Sequence, residues 1–284
     1  MMFFLQRNFQ SVIFACLFAA AFCLFSTKAR AQEPDETYTN SAYLPELPAA
    51  PEFNAQILNC FAKEGYYIRI KEFTCPIGKG VFLVPELGMQ ITYGRNLDWE
   101  PAAYIGFPPP MPVCPSNGAV VTKSNYTEDE TELLEMAVKN EEYKALYAEK
   151  HASYFLRAEL NRILELDAEN RWWYLLHATW EAAHCGAEDK YKLYALKTVD
   201  AARERLKKLS DDNSEYWVLN LIIPNLYRRT GDFSAAQKWL DKLGGKLPKD
   251  EKAKESFGAA FQLLQKAVTE KNTAQVPLQP EGGK

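Results

Sequence analysis

The chain has only three histidines, His151, His177 and His184, in 284 residues, so few residues could serve a Ser/His/Asp relay or a histidine-rich metal centre. It contains no G-x-S-x-G, no Walker phosphate loop and no H-E-x-x-H, and Gly78-Lys79-Gly80 is too short to cradle a phosphate. No catalytic residue is assigned, and no cofactor is expected. A long Lys/Arg run is also missing, and the formal net charge is −4. Nucleic-acid binding needs a basic field that displaces counterions, so a nucleic-acid partner is not expected. The long apolar run, Ser11 to Phe25, falls short of a membrane span of roughly 20 residues.

That run has Arg7 before it and Ala29-Arg30-Ala31 after it, the three-part layout of a secretory signal peptide cleaved after Ala31. The first 31 residues carry Arg7, Lys28 and Arg30 and no acid, so cleavage takes the formal charge from −4 to −7. The expected location is the periplasm or the extracellular medium, with no stable membrane span after cleavage. Residues 32–54 are rich in Pro, Glu and small polar residues and read as a linker.

Cleavage leaves four cysteines, Cys60, Cys75, Cys114 and Cys185, and an even number in an exported chain suggests disulfides. Residues 55–123 read as a small β-rich subdomain, with short runs at 66–70, 81–85 and 89–93 separated by Pro/Gly turns. Two similar tetrads occur there, Cys75-Pro76-Ile77-Gly78 and Cys114-Pro115-Ser116-Asn117, the second followed by Gly118.

From about Tyr126 the period becomes helical, and residues 124–271 read as a TPR-like domain of helical hairpins. Leu133, Leu134, Met136 and Ala137 are the expected apolar side of its first helix. Leu156, Leu160, Ile163 and Leu164 form one stripe in the next long helix. Residues 214–243 give the clearest unit. There Tyr227, the Gly231-Asp232-Phe233 turn, Ala236, Leu240 and Leu243 match a helix end, a tight turn and a returning helix. Residues 249–271 read as a capping helix, and the tail 272–284 is expected to be disordered.

The stretches FTCPIGKGVF, NLDWEPAAYIGFPPPMPVCPSNGA and EYWVLNLIIPNLYRRTGDFSAAQKWLDKL together resemble the bacterial family called domain of unknown function 2225. That resemblance spans roughly residues 60 to 245. It implies a zinc-ribbon-like segment with paired Cys-Pro-x-Cys knuckles, followed by a helical region ending in a TPR-like hairpin. Here Gly78 and Asn117 replace the second cysteine of each knuckle. Cys75 and Cys114 supply two of the four donors a structural zinc wants, so zinc is not expected. Ribbon knuckles lie side by side, so the resemblance implies that Cys75 and Cys114 join as a disulfide. Cys60 and Cys185 either pair with each other or stay as buried thiols.

The expected architecture is mainly α: a TPR-like helical-hairpin domain with a small β-rich, ribbon-like amino-terminal subdomain. Two candidate sites stand out. His177, Glu181 and His184 share one helix face, and Glu181-Ala182-Ala183-His184 fits a Glu-x-x-His metal pattern. The other reading of that face is packing by tryptophans. Trp172, Trp173, Tyr216 and Trp217 could line a groove or fill the core. Arg228 and Arg229 could clamp an acidic peptide or sit on a solvated helix end. The leading expectation is an exported, non-catalytic scaffold for a protein or peptide partner. The alternative is a metal-binding protein or enzyme built on the His177/Glu181/His184 face.

Overall fold

The two Cys-Pro tetrads make the same turn. In the computed structural model, which describes residues 68–87, 92–103 and 108–278, β1 (Ile68–Thr74) and β2 (Val81–Leu87) form an antiparallel hairpin. Its loop closes where the Cys75 N–H donates to the Gly80 carbonyl at 2.8 Å. In the second turn the Cys114 N–H donates to the Ala119 carbonyl, also at 2.8 Å, beside an antiparallel Val113–Val120 bridge. Cys75 and Cys114 are disulfide-bonded, with their Cα atoms 5.6 Å apart, so the staple joins the two turns. Asn117, the last residue of the second tetrad, bonds to both turns. Its Oδ1 accepts the Ala119 N–H at 2.9 Å and its amide donates to Cys75 Sγ at 3.5 Å.

The stapled pair docks on helices. Helices α1 (Glu128–Lys139), α2 (Glu141–Ala148) and α3 (Ser153–Ile163) follow it. Helix α1 starts at a capping box, in which Thr127 and Glu130 satisfy each other's backbone N–H. The Tyr143 hydroxyl of α2 donates to the Gly118 carbonyl at 2.7 Å, and the Tyr147 hydroxyl donates to the Pro115 carbonyl at 2.9 Å. Gly118 has φ +77°, and a Cβ there would lie 2.7 Å from the Tyr147 ring, so this contact excludes any side chain. Cys75, Phe82, Val113, Cys114 and Val120 share one core with Leu134, Ala137, Tyr143, Leu156 and Leu160.

The remaining helices are α4 (Arg171–His184), α5 (Glu188–Leu206), α6 (Ser214–Arg229), α7 (Phe233–Leu243) and α8 (Glu251–Thr269). Short connections fold each back on its predecessor, and α8 packs on both α6 and α7. Asn213, Asp232 and Asp250 cap α6, α7 and α8 with side-chain oxygens, and left-handed Gly244 ends α7. Helix α6 continues through Pro224. Phe155, Leu176, Trp180, Tyr194 and Ile222 fill the core between α3 and α6, while Leu221, Ala236, Leu240 and Phe257 fill a second between α6 and α8. The described residues thus form a mainly helical structure with a few small antiparallel strands.

Two expectations need correction. In α1 the buried positions are Leu134, Ala137 and Val138, whereas Leu133 and Met136 are 44% and 63% exposed. Residues 134, 137 and 138 are spaced i, i+3, i+4 and share a face that 133 and 136 do not. The tail differs too. Residues 272–278 are placed against the fold, and β5 (Pro277–Leu278) adds to β3 (Thr92–Asn96). With β4 (Pro101–Ala103) the order of this sheet is β4-β3-β5. The leader, the 32–54 linker, Cys60 and residues 279–284 lie outside the described residues.

The Cys75–Cys114 bond spans 39 residues, a loop whose closure stabilises a fold by about 4 kcal/mol in the chain-entropy model. Double replacement C75A/C114A should therefore lower the unfolding free energy by roughly 3–4 kcal/mol in urea titrations under non-reducing conditions. Loss of less than about 1 kcal/mol would mean that the docked tyrosines alone hold the two turns together.

Candidate functional site

Helix α4 carries the three residues that suggested metal chemistry, and their side chains go to three different places. His177 is buried in an aromatic box, with ring centroids of Tyr154, Trp173 and Trp180 at 4.9, 4.3 and 4.6 Å. Its Nδ1 lies 2.8 Å from the Trp173 carbonyl and donates to it. Burial pushes the ring's pKa down to about 4, so it is neutral at pH 7.

Glu181 has another task. Helix α3 begins after Ala152, which has no side-chain oxygen to cap it. The Glu181 carboxylate supplies the missing acceptor from α4. It takes the Ser153 N–H at 3.1 Å, the Tyr154 N–H at 3.4 Å and the Ser153 hydroxyl at 3.2 Å. Burial pushes this carboxyl up to about 7, against the pull of those hydrogen bonds.

His184 points the other way, with Nε2 2.5 Å from a Glu100 oxygen in the β3–β4 turn. The three side chains do not converge. Among the described residues no group of three or more His, Cys, Asp or Glu side chains is arranged to hold a metal ion.

The aromatic residues read as a possible groove serve the core. Trp172 is buried and its indole donates to Glu215 at 2.9 Å; Trp173 packs edge-on against Trp180. Trp217 is buried, donates to the Asp211 carbonyl at 2.7 Å and meets Phe257 edge-on; Tyr216 packs beside it. Cys185 is disulfide-bonded rather than a free thiol, and Cys60, one partner considered for it, lies outside the described residues.

Arg228 and Arg229 do clamp a peptide segment, but it belongs to their own chain. Arg228 is fully buried and donates to Asn225 Oδ1 and to the carbonyls of Asn272 and Ala274. Burial and the neighbouring Arg229 push its guanidinium down to about 10, which keeps it charged at neutral pH. Arg229 donates to Asp98 at 3.1 Å and to Gln275 Oε1. The Gln275 amide donates to both Asp98 oxygens and to Glu100 at 2.8–2.9 Å. Trp99, with φ +67°, makes the tight turn that sends Asp98 and Glu100 inward. Burial first, and the Glu100 charge second, push the Asp98 carboxyl up, while Arg229 opposes them. This network ties residues 272–276 over the end of α6.

An open feature lies elsewhere. A cavity of about 580 Å³ is bounded by the end of α3, the α3–α4 connection, the start of α4 and the last turns of α5. Asn161 lines it and is 1% exposed, yet neither its Nδ2 nor its Oδ1 has a hydrogen-bond partner. An orphaned buried amide costs on the order of 1–3 kcal/mol. The nearby Glu159 carboxylate is also buried, but it is paired. Burial alone would push its carboxyl up, whereas Arg162 at 2.6 Å and Arg171 at 3.0 Å outweigh that and hold it below the usual range.

No family model, curated protein or solved structure matches this chain. The site therefore rests on its own geometry. Asn161, Asp98, Glu100 and Gln275 were missed by reading the sequence. Asn161 sits off the Leu156/Leu160 stripe in a helix buried on several faces, and Asp98 meets Gln275 across 177 residues. The only local signal was the pair of acids flanking Trp99 in a turn-rich stretch.

Two predictions follow from the buried charges. A carboxyl that titrates near 7 when folded and near 4.5 when free holds its proton more tightly in the fold, so its contribution to stability falls as pH rises across that interval. His177 acts oppositely: its contribution is present above about 6.5 and is lost as pH falls toward about 4. E181Q retains an acceptor oxygen but cannot titrate, and it leaves His177 in place. Stability of wild type minus variant should decrease between pH 4.5 and 7, by up to about 3 kcal/mol in urea titrations. A flat difference would mean that Glu181 does not titrate there. For Arg228→Leu, which strands Asn225 and two tail carbonyls, a loss of about 3–5 kcal/mol is expected. Faster hydrogen exchange at the Leu97 N–H, which bonds the Val276 carbonyl, should accompany it. Unchanged exchange there would show that the tail is held without Arg228.

Proposed function

We propose that this chain is an exported, non-catalytic scaffold that binds a protein or peptide partner at the α3–α4–α5 end of its helical stack. The observation that carries the reading is the cavity there, with Asn161 in its wall. The residues first considered for binding, from Trp172 to Arg229, are taken up by the core and by the chain's own tail. The cavity is lined mostly by polar and charged side chains.

Export is supported by the chemistry of the cysteines. The Cys75–Cys114 staple and a disulfide-bonded Cys185 suit an oxidising compartment, as does the leader-like segment before Ala31. The chain also reads as a divergent relative of the domain of unknown function 2225 family, in which the staple has replaced a metal. Support for this comes from the two matching Cys-Pro turns, each closed by the same N–H to carbonyl bond.

A photo-crosslinking residue placed at Leu166 tests the binding reading, because that side chain is exposed at the cavity rim. The same residue at Met136, exposed on α1, serves as control. Irradiation in the native envelope should give a discrete adduct from position 166 and none from 136. Equal labelling from both positions, or none from 166, would remove the scaffold assignment.

A further inference from the structure

The tail lies in its groove as a peptide ligand lies in a receptor. Residues 272–278 follow α8 after a short connection, Glu270 and Lys271, and cross the end of α6 beside β3. Arg228 reads the backbone, donating to the carbonyls of Asn272 and Ala274. The Leu97 N–H donates to the Val276 carbonyl at 2.9 Å, and β3 pairs with Pro277 and Leu278. One side chain is read as well. The Gln275 amide donates to Asp98 and Glu100 at 2.8–2.9 Å and its Oε1 accepts from Arg229, so both ends of a primary carboxamide are matched. Val276 and Leu278 pack on the apolar cluster of Leu97, Trp217 and Leu221.

Emptying the groove takes two carbonyls from Arg228 and an amide from Asp98, both fully buried, so an empty groove is unfavourable relative to any filled one. The hinge that lets the chain fill its own groove is strained. Lys271 holds left-handed backbone at φ +51°, which a residue with a Cβ adopts at a cost. Two bonds close that turn, from the Lys271 N–H to the Val268 carbonyl at 3.1 Å and from the Asn272 N–H to the Ala267 carbonyl at 2.9 Å. When the turn opens, these two groups pass to water, and the same tail fits the same groove on another copy with the groove's bonds retained. We infer that two copies of this chain exchange their tails, each completing the other's groove. The second copy then supplies the glutamine held by Asp98, Glu100 and Arg229. Linkage opposes the exchange, because a tail on its own chain has an effective concentration of order millimolar. Exchange therefore dominates when the protein is concentrated or when the turn at Lys271 is lost. The inference uses residues apart from the α3–α4–α5 cavity and stands independently of the scaffold reading.

Light scattering of the purified full-length protein, together with hydrogen exchange at the Leu97 N–H, tests the exchange. Wild type should be monomeric at about 20 µM and shift toward dimer near millimolar concentration. Lys271→Pro cannot adopt a positive φ and should be dimeric at about 20 µM. That is a shift of roughly a hundredfold in the dimer midpoint, about tenfold for each of two hinges. Lys271→Gly takes left-handed backbone without cost and should dimerise less than wild type. In the Lys271→Pro dimer the Leu97 N–H should stay protected, because the other copy's tail covers it. Adding Gln275→Glu, which sets a third carboxylate against Asp98 and Glu100, should return the protein to monomer and expose that N–H. A Lys271→Pro protein that stays monomeric overturns the exchange, whether or not Leu97 is protected. So does a dimer that survives Gln275→Glu or leaves Leu97 unprotected, since its interface then lies elsewhere. Wild type that stays monomeric near millimolar concentration, or dimerises no better than Lys271→Gly, overturns it without recourse to the proline variant.

Discussion

A buried helix end without its own cap is the constraint around which the helical stack is arranged. The first N–H groups of α3 face the interior, and Ala152 cannot satisfy them. Glu181 reaches across from α4 to do so, which fixes the axial position of α4 against α3. Ser153 extends the link, because its hydroxyl accepts the Met111 N–H at 2.8 Å from the segment leading into the second Cys-Pro turn. One carboxylate therefore connects the helical stack to the stapled β-rich part. An acid can occupy this position because backbone dipoles stabilise its charge where burial opposes it.

The stapled part is held by one covalent bond and by polar contacts around it. Asn117 accepts the Ala119 N–H inside the second turn with its amide oxygen and reaches Cys75 in the first. The covalent link comes from Cys75 and Cys114, and Tyr143 and Tyr147 anchor the second turn to α2 through its carbonyls. Glycine at 118 is required by the close approach of the Tyr147 ring.

Buried polar groups in this protein fall into two kinds. Arg229, Asp98, Glu100 and Gln275 bond to one another, Arg228 bonds to two tail carbonyls, and together they hold a tail segment that composition alone would leave loose. Such a network is favourable only as a whole, since each member would be a costly orphan without the others. Asn161 is of the second kind: neither atom of its buried side-chain amide has a hydrogen-bond partner, although the residue lies in the wall of the cavity.

Reading the sequence was enough for the helical class, the hairpin at 214–243 and the capping helix, because a 3.6-residue period reports which side chains share a face. Leu156 and Leu160 are buried as that period requires, and Ala236 is buried with Leu240. The apolar residues Leu133, Leu134, Met136 and Ala137 left the direction of that stripe open, and packing buries Leu134 with Ala137 and Val138 while Leu133 stays exposed. The period could not show that the shared face of His177, Glu181 and His184 would be divided among an aromatic box, a helix cap and a β-turn. Those fates, like the tail's place beside β3, depended on partners from other elements, as far as 177 residues away in the chain. Periodicity is a property of neighbours along the backbone, whereas the satisfaction of a buried polar group depends on what the folded chain brings to it.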